Sequence, residues 1–240
     1  MEKIVTILQA RMGSSRLPGK SMKLVRGKPL LWYSYSRASQ SKLVSETIIA
    51  TTLSPMDDKI AKWGAELSIP IFRGSETDVL DRYYHCAKKS GASVIVRLTA
   101  DNPFCDPKVI DQLIEVFLSD SVDYVSNTLP PRTWPHGLDT EVFNFKSLET
   151  AFRDAKELYD HEHATPYLYH HPELFKLRRV PLEKDLSSYR LTVDYPEDFE
   201  LCEVLINRFN ADRLGWREIV EILKANPDIA RINQSKAITT

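Results

Sequence analysis

Three short apolar runs, IVTILQA (4–10), ETIIATT (46–52) and SVIVRLT (93–99), set the main limit on what this chain can fold into. Each has little polar alternation, the pattern of a strand covered on both faces in a parallel sheet. Amphipathic helical patterns lie between them. Pro29 opens PLLWYSYSRASQS after the break at Gly27. Asp57–Leu67 reads as a second helix. Thr77–Lys89, with Thr77 as its N-cap, carries Leu80, Tyr83, Tyr84 and Ala87 on one face, and Pro107–Ser119 carries Ile110, Leu113, Ile114 and Phe117. Pro70–Arg73 and Asp123–Ser126 read as short strands. Such alternation predicts βαβ units: an α/β, Rossmann-like, doubly wound sheet.

The rhythm changes after Asn127. TLPPRTWPHG is rich in turn formers, DTEVFNF reads as a strand, and Phe175–Leu182 and Tyr189–Val193 as two more. Helical patterns occupy 147–157 and 161–171, and 196–232 is helical. The expected organisation is one domain over 1–240, with 128–185 as an inserted α+β subdomain on the same sheet. The 240 residues can bury a core without staples. A net charge of −1 gives no whole-protein field toward nucleic acid or an anionic membrane. Cys86, Cys105 and Cys202 form no CxxC, which argues against a zinc ribbon or a disulfide framework. No window approaches a membrane span, and the first apolar stretch is too short for a signal peptide. The expectation is a reduced, cytoplasmic protein.

The segment ILQARMGSSRLPGKS (7–21) almost spells a P-loop, but Gly13 and Gly19 are one residue too far apart. Pro18 also removes a backbone N–H where a phosphate nest would want one. What remains is unusual: from Gln9 to Lys28 there are six basic residues and no acid. The segment follows the first strand, and so sits at the carboxyl edge where such sheets place ligands. It reads as a polyphosphate cradle; the alternative is a solvated basic turn. A triphosphate needs a divalent cation, and Mg²⁺ takes one or two carboxylates. Asp101, after SVIVRLTA, and Asp194, ending YRLTVD, are placed for this, although each could instead cap a following helix.

The stretch ARMGSSRLPGK (10–20) resembles the N-terminal signature of the CMP-sugar synthetases, the 3-deoxy-manno-octulosonate and acylneuraminate cytidylyltransferases, and most of all their relatives in spore-coat polysaccharide biosynthesis. RLTADNP (97–103) and VDYPEDF (193–199) are similar to that family's two metal-binding segments, and RGSETDVLDRY (73–83) to its base-binding region. The resemblance implies a GT-A-type mixed sheet and a homodimer using 128–185 at its interface. It implies CTP bound by Ala10, Arg11, Gly13, Ser14, Arg16, Lys20, Ser21, Arg73 and Ser75. It implies Mg²⁺ on Asp101 and Asp194, with Arg11, Lys20 and Asp101 in catalysis. Ser21 stands where the family often has Asn. Arg82 reads as an i,i+4 partner of Asp78.

WPHGLDTE (134–141) and DHEHATPY (160–167) resemble segments of the spore-coat branch, which implies that they face a sugar-type acceptor. Asp139, Glu141 and His163 are the candidate acceptor-binding residues; Asp139 and Glu141, two apart, could share one strand face. His161 and His163 lack H-E-x-x-H spacing. No G-x-S-x-G elbow is present, so direct displacement without a covalent enzyme intermediate is expected; the resemblance implies that the group attacked is the α-phosphate of CTP, with release of pyrophosphate. Two other readings stand beside it. A glycosyltransferase of the same fold would show D-x-D where Asp101-Asn102-Pro103 stands. A non-catalytic nucleic-acid or protein-binding module would interleave aromatics with the basic residues, and 9–28 has none.

Overall fold

The computed structural model describes residues 2–235. Nine strands and ten α-helices alternate along them. The strands are β1 (Ile4–Gln9), β2 (Leu24–Val25), β3 (Lys28–Pro29), β4 (Glu46–Thr52), β5 (Ile71–Gly74), β6 (Val94–Thr99), β7 (Tyr124–Ser126), β8 (Glu141–Asn144) and β9 (Leu177–Arg179). The helices are α1 (Leu30–Ala38), α2 (Asp58–Glu66), α3 (Val79–Ser90), α4 (Pro107–Ser119), α5 (Phe145–Asp154), α6 (Leu158–His163), α7 (Pro166–His170), α8 (Pro196–Phe209), α9 (Trp216–Ala225) and α10 (Pro227–Ala230).

Seven strands form one sheet in the order β5-β4-β1-β6-β8-β7-β9. The first four are parallel; β8 runs antiparallel to both its neighbours, and β7 and β9 are parallel. The sheet is doubly wound, as the alternation of apolar runs and amphipathic helices predicts, and mixed because β8 is antiparallel, as the resemblance implies. β2 and β3 make a separate hairpin immediately after the basic loop.

The sheet is buried on both faces, which is why β1 and β6 are each apolar at four of six positions without polar alternation. On one face Leu31 of α1, Ile60 of α2 and Val109, Ile110 and Leu113 of α4 pack on Leu8, Val96 and Leu98. On the other, Leu80, Tyr83 and Tyr84 of α3 and Leu148 of α5 pack on Val5, Ile7 and Ile95. A third cluster gathers α8, α9 and the β2–β3 hairpin around Leu205, Ile206 and Ile219. Among the described residues no helix is long and apolar enough to cross a membrane.

The chain leaves β1 toward β4 on one side, and β6 toward β7 on the other. That reversal is the switch point at which open α/β sheets leave a crevice. The segments after β1 and β6 therefore meet, tied by Ala100 N–H donating to Gln9 O at 3.0 Å.

Several expected boundaries shift for local reasons. α3 is capped by Asp78, whose carboxylate accepts Asp81 N–H at 2.8 Å, and not by Thr77. Arg82 does not reach Asp78; its Nη1 donates to the Ser75 carbonyl. The expected 161–171 helix is two helices, α6 and α7, because Ala164 adopts φ 70° and Pro166 restarts the turn. α5 begins at Phe145, before the expected 147, because Asn144 caps it by accepting Ser147 N–H at 2.7 Å. Tyr189–Val193 forms no full strand; Arg190 makes a single bridge with His136.

That bridge sets a tight approach. Gly137 has φ 99°, and a Cβ there would lie 2.5 Å from Thr192 N and 2.6 Å from Leu191 C. Gly137→Ala combines left-handed strain with a backbone clash, and is expected to cost about 2–4 kcal/mol of stability. Urea unfolding reads this; an unchanged midpoint would show that the WPHG turn does not press on 191–192 in solution.

Candidate active site

The basic loop after β1 is held in shape by the backbone. Met12 O accepts N–H bonds from Ser14 at 2.9 Å and from Gly19 at 3.2 Å. Gly19 sits at φ 70°, a conformation L side chains rarely adopt, and leads into a 3₁₀ turn at Lys20–Met22. Met12 N–H donates to Asp57 Oδ1 at 2.7 Å, and the other Asp57 oxygen accepts from Thr52 Oγ1. Buried Ser21 donates its hydroxyl to Arg11 O at 3.0 Å.

This folding turns Lys20 inward. Its ammonium donates to Asp101 Oδ2 at 2.9 Å, Asp194 Oδ1 at 2.8 Å and the Val193 carbonyl at 2.9 Å. Two carboxylates 93 positions apart in sequence thus converge on one cation. Asp101 is oriented by Thr99 Oγ1 at 2.5 Å, and its own carbonyl accepts Val193 N–H at 2.8 Å. Asp194 is held from behind by Arg190 Nη2 at 2.9 Å and from outside by Arg16, 3.4 Å away. Arg190 is in turn fixed by the Asp198 carboxylate, which also accepts the Asp194 and Tyr195 N–H groups at 2.9 Å. Asp198 is a first-turn carboxylate of α8.

The charges shift one another. Burial lifts Asp194, but Lys20, Arg16 and Arg190 outweigh it and hold the carboxyl below its ordinary value. Burial lowers Lys20, and Asp101 and Asp194 reverse this, leaving the ammonium above its ordinary value. Among the described residues no cluster of three or more His, Cys, Asp or Glu could hold a metal. Asp101 and Asp194 are hard oxygen donors converging on one cation, the protein share suited to Mg²⁺ when phosphate oxygens and water supply the rest. The Lys20 ammonium marks that position.

The structure places the other candidates as follows. Ala10 is buried and donates its N–H to Ala50 O at 3.1 Å. Gly13 and Arg11 are exposed on the loop, and Arg11 has no carboxylate partner among the described residues. Ser14 Oγ accepts Leu17 N–H at 3.4 Å. Arg16 lies over the Tyr195 ring. Arg73 is engaged by the Thr52 and Ser54 carbonyls and by Asp58, 2.7 Å away. Ser75 Oγ accepts Asp78 N–H at 3.0 Å.

Asp139 and Glu141 do not share a strand face: β8 begins at Glu141, and Asp139 precedes it, paired with Arg132. Glu141 is buried, one oxygen bound by Arg97 and the other by the Tyr124 hydroxyl at 2.8 Å. His163 packs on the Tyr159 ring, and partial burial pulls it below its ordinary value. None of these three touches the Lys20 cluster. Trp134 is core, its Nε1 donating to Val180 O at 2.7 Å. Cys105 is buried, its thiol pushed up to about 12 by burial.

Sequence reading missed Asp57, Thr99 and Arg190. Of these only Arg190 leaves a local signal, an arginine four residues before Asp194 and eight before Asp198.

Residues 5–224 match the family model described as Cytidylyltransferase. The chain is 39% identical over 235 residues to the uncharacterized protein MJ1063 of Methanocaldococcus jannaschii, covering 97% of this chain and 95% of that one. It is 34% identical to the spore coat polysaccharide biosynthesis protein SpsF of Bacillus subtilis, covering 96% and 98%. A solved cytidylyltransferase from Leptospira borgpetersenii superposes over 100% of both chains with a TM-score of 0.91 at 33% identity.

Lys20→Met would leave two carboxylates without their shared cation, and is expected to cost about 3–5 kcal/mol at pH 7, the usual result of removing one partner of a buried pair. In the parent, the depressed Asp194 adds stability above the ordinary carboxylate value, lost as pH falls through its lower folded value. Raised Lys20 adds stability below its ordinary value of 10.5, lost as pH climbs through its higher folded value. Urea unfolding across pH should therefore show a shallower acid limb in the variant; superimposable curves would mean the triad does not form.

Proposed function

The chain belongs to the cytidylyltransferase family and is a CTP-dependent nucleotidyltransferase, and we propose that it activates a sugar acid or related oxygen acceptor with CTP in making a cell-surface polysaccharide or glycan. The observation that carries this reading is the convergence of Lys20, Asp101 and Asp194 at the switch point, beside a loop with cations and no acid. The acceptor oxygen attacks the α-phosphorus, the bond to the β-phosphate oxygen breaks, and pyrophosphate leaves.

Catalysis of such a step is mainly positioning and charge neutralisation. Arg11, Ser14, Arg16 and Lys20 line the loop for the triphosphate, with Gly13 leaving room for it. Ser21 and Ala10 keep the loop in place; Arg73 and Ser75 shape the segment taken to meet the base. Mg²⁺ held by Asp101 and Asp194 would neutralise charge at the α-phosphate and lower the acceptor hydroxyl's pKa. Were those carboxylates taken up by such a cation, the Lys20 ammonium they now hold would be free for the leaving group's oxygens. Asp139 and His163 remain the acceptor-side candidates; Glu141, with both oxygens taken, serves by holding Arg97.

The same reading makes 128–185 the contact with a second copy. Supporting this, Leu158, Tyr159 and Leu174 expose 78%, 53% and 55% of their surface there.

Pyrophosphate release from CTP, Mg²⁺ and a panel of acceptors tests the proposal, with UTP as the control nucleotide. Asp101→Asn should lower turnover by roughly 10²–10³ with the circular dichroism unchanged, the range seen when one transition-state stabiliser is removed. Unchanged turnover would take Asp101 out of the site. Since Lys20 already neutralises the carboxylates, Mg²⁺ alone should barely raise the melting temperature, and Mg²⁺ with CTP should raise it clearly.

A further inference from the structure

Arg82 is the most buried arginine of the chain, 2% exposed, yet it has no carboxylate partner among the described residues. It sits in the first turn of α3, beneath Gly74 and Ser75 at the carboxyl edge of the sheet. A Cβ on Gly74 would lie 3.1 Å from its Cγ, so the stem is packed against that turn. One donor is used: Nη1 gives its proton to the Ser75 carbonyl. Nε is buried and finds no acceptor.

Each nearby acid is committed elsewhere. Asp57 holds Met12 and Thr52. Asp78 takes Asp81 N–H on one oxygen and His161 Nδ1, at 2.7 Å, on the other. Asp81 faces His85 at 3.2 Å. Arg11, a loop cation without a carboxylate partner among the described residues, acts on Arg82 through its field. Burial pulls the Arg82 guanidinium below its ordinary value, and the Arg11 charge adds to that fall, against Tyr83, Asp57 and Asp78. A buried charge with no counter-charge is costly to keep, and apolar replacement of such a group is often neutral or stabilising.

We propose that Arg82 is a substrate-binding residue, its free guanidinium donors completed by an oxygen of the nucleotide, either a phosphate oxygen shared with Arg11 or a base carbonyl. The proposal rests on the nucleotidyltransferase reading and adds a contact to it. A bare structural brace would need only the Ser75 bond, and would gain from a nearby carboxylate. The unneutralised guanidinium, its Nε without an acceptor, suits a ligand that brings its own acceptors.

The two roles predict opposite behaviour. Arg82→Met keeps the packed stem and removes the charge. A binding role predicts a melting temperature without CTP that is equal or higher, and an apparent affinity for CTP weaker by roughly 10–100-fold, the usual effect of losing charge-assisted hydrogen bonds. CTP binding equal to the parent's, or weakened only together with a lowered melting temperature, overturns it. Should the Met variant fail to fold, Arg82→Lys decides in the same way: weakened CTP binding at unchanged stability supports the role, and unchanged binding overturns it. Inorganic tripolyphosphate and cytidine serve as separate probes; the one whose affinity falls identifies the oxygen. If the parent protein itself shows neither a CTP-dependent thermal shift nor pyrophosphate release, the nucleotidyltransferase reading fails before Arg82 is judged.

Discussion

The ammonium of Lys20, shared between Asp101 and Asp194, is the interaction on which the rest of this structure depends. Both carboxylates are held on that one cation, and three segments distant in sequence must fold together to assemble the cluster. Side-chain exposures of 13%, 25% and 17% place the cluster below the surface yet within reach of solvent. Screening is therefore weaker than for a surface pair. A charge cluster of this kind adds little net stability by itself, since desolvation offsets attraction. Its structural effect is registration: the loop after β1, the turn after β6 and the strand-like segment before α8 have one mutually satisfied arrangement.

The fold explains how that arrangement is reached. β1 and β6 lie side by side, and their following segments leave in opposite directions. The crevice between them receives Lys20 from one and Asp101 from the other. Asp194 comes from much later in the chain and needs its own support. The bridge between His136 and Arg190, the closeness allowed by Gly137, and Asp198 in the first turn of α8 supply it. Arg190 links these supports to Asp194 itself. The neutral state of buried His136, whose pKa burial lowers to about 4, keeps a second positive charge away from Arg190.

What could be read from the sequence follows from range. β1, β4 and β6 are visible because a strand buried on both faces keeps consecutive apolar residues instead of alternating them with polar ones, and α3 and α4 because their burial is one-sided. The basic loop and the two aspartates stand at strand ends, which a parallel sheet converts into positions at one edge. Asp57 was not legible, since its bond to Met12 N–H spans 45 positions and nothing local distinguishes it from a helix-start carboxylate. Asp139 and Glu141 misled because a spacing of two means a shared face only inside a strand, and β8 starts between them. The break at Ala164 was hidden for a related reason: a positive φ at alanine is imposed by tertiary packing, not by propensity.

The charges also divide the molecule into two regions of different character. In and beside the segment 128–185, arginines are neutralised internally: Arg97 by Glu141, Arg132 by Asp139 and Arg190 by Asp194 and Asp198. At the mouth of β1 the pattern reverses, with Arg11 and Arg82 lacking a carboxylate and Lys20 holding two. A polyanion entering the crevice meets uncompensated positive charge on the loop side and internally satisfied pairs on the other. The field at that edge therefore favours an anion on the loop side of the crevice.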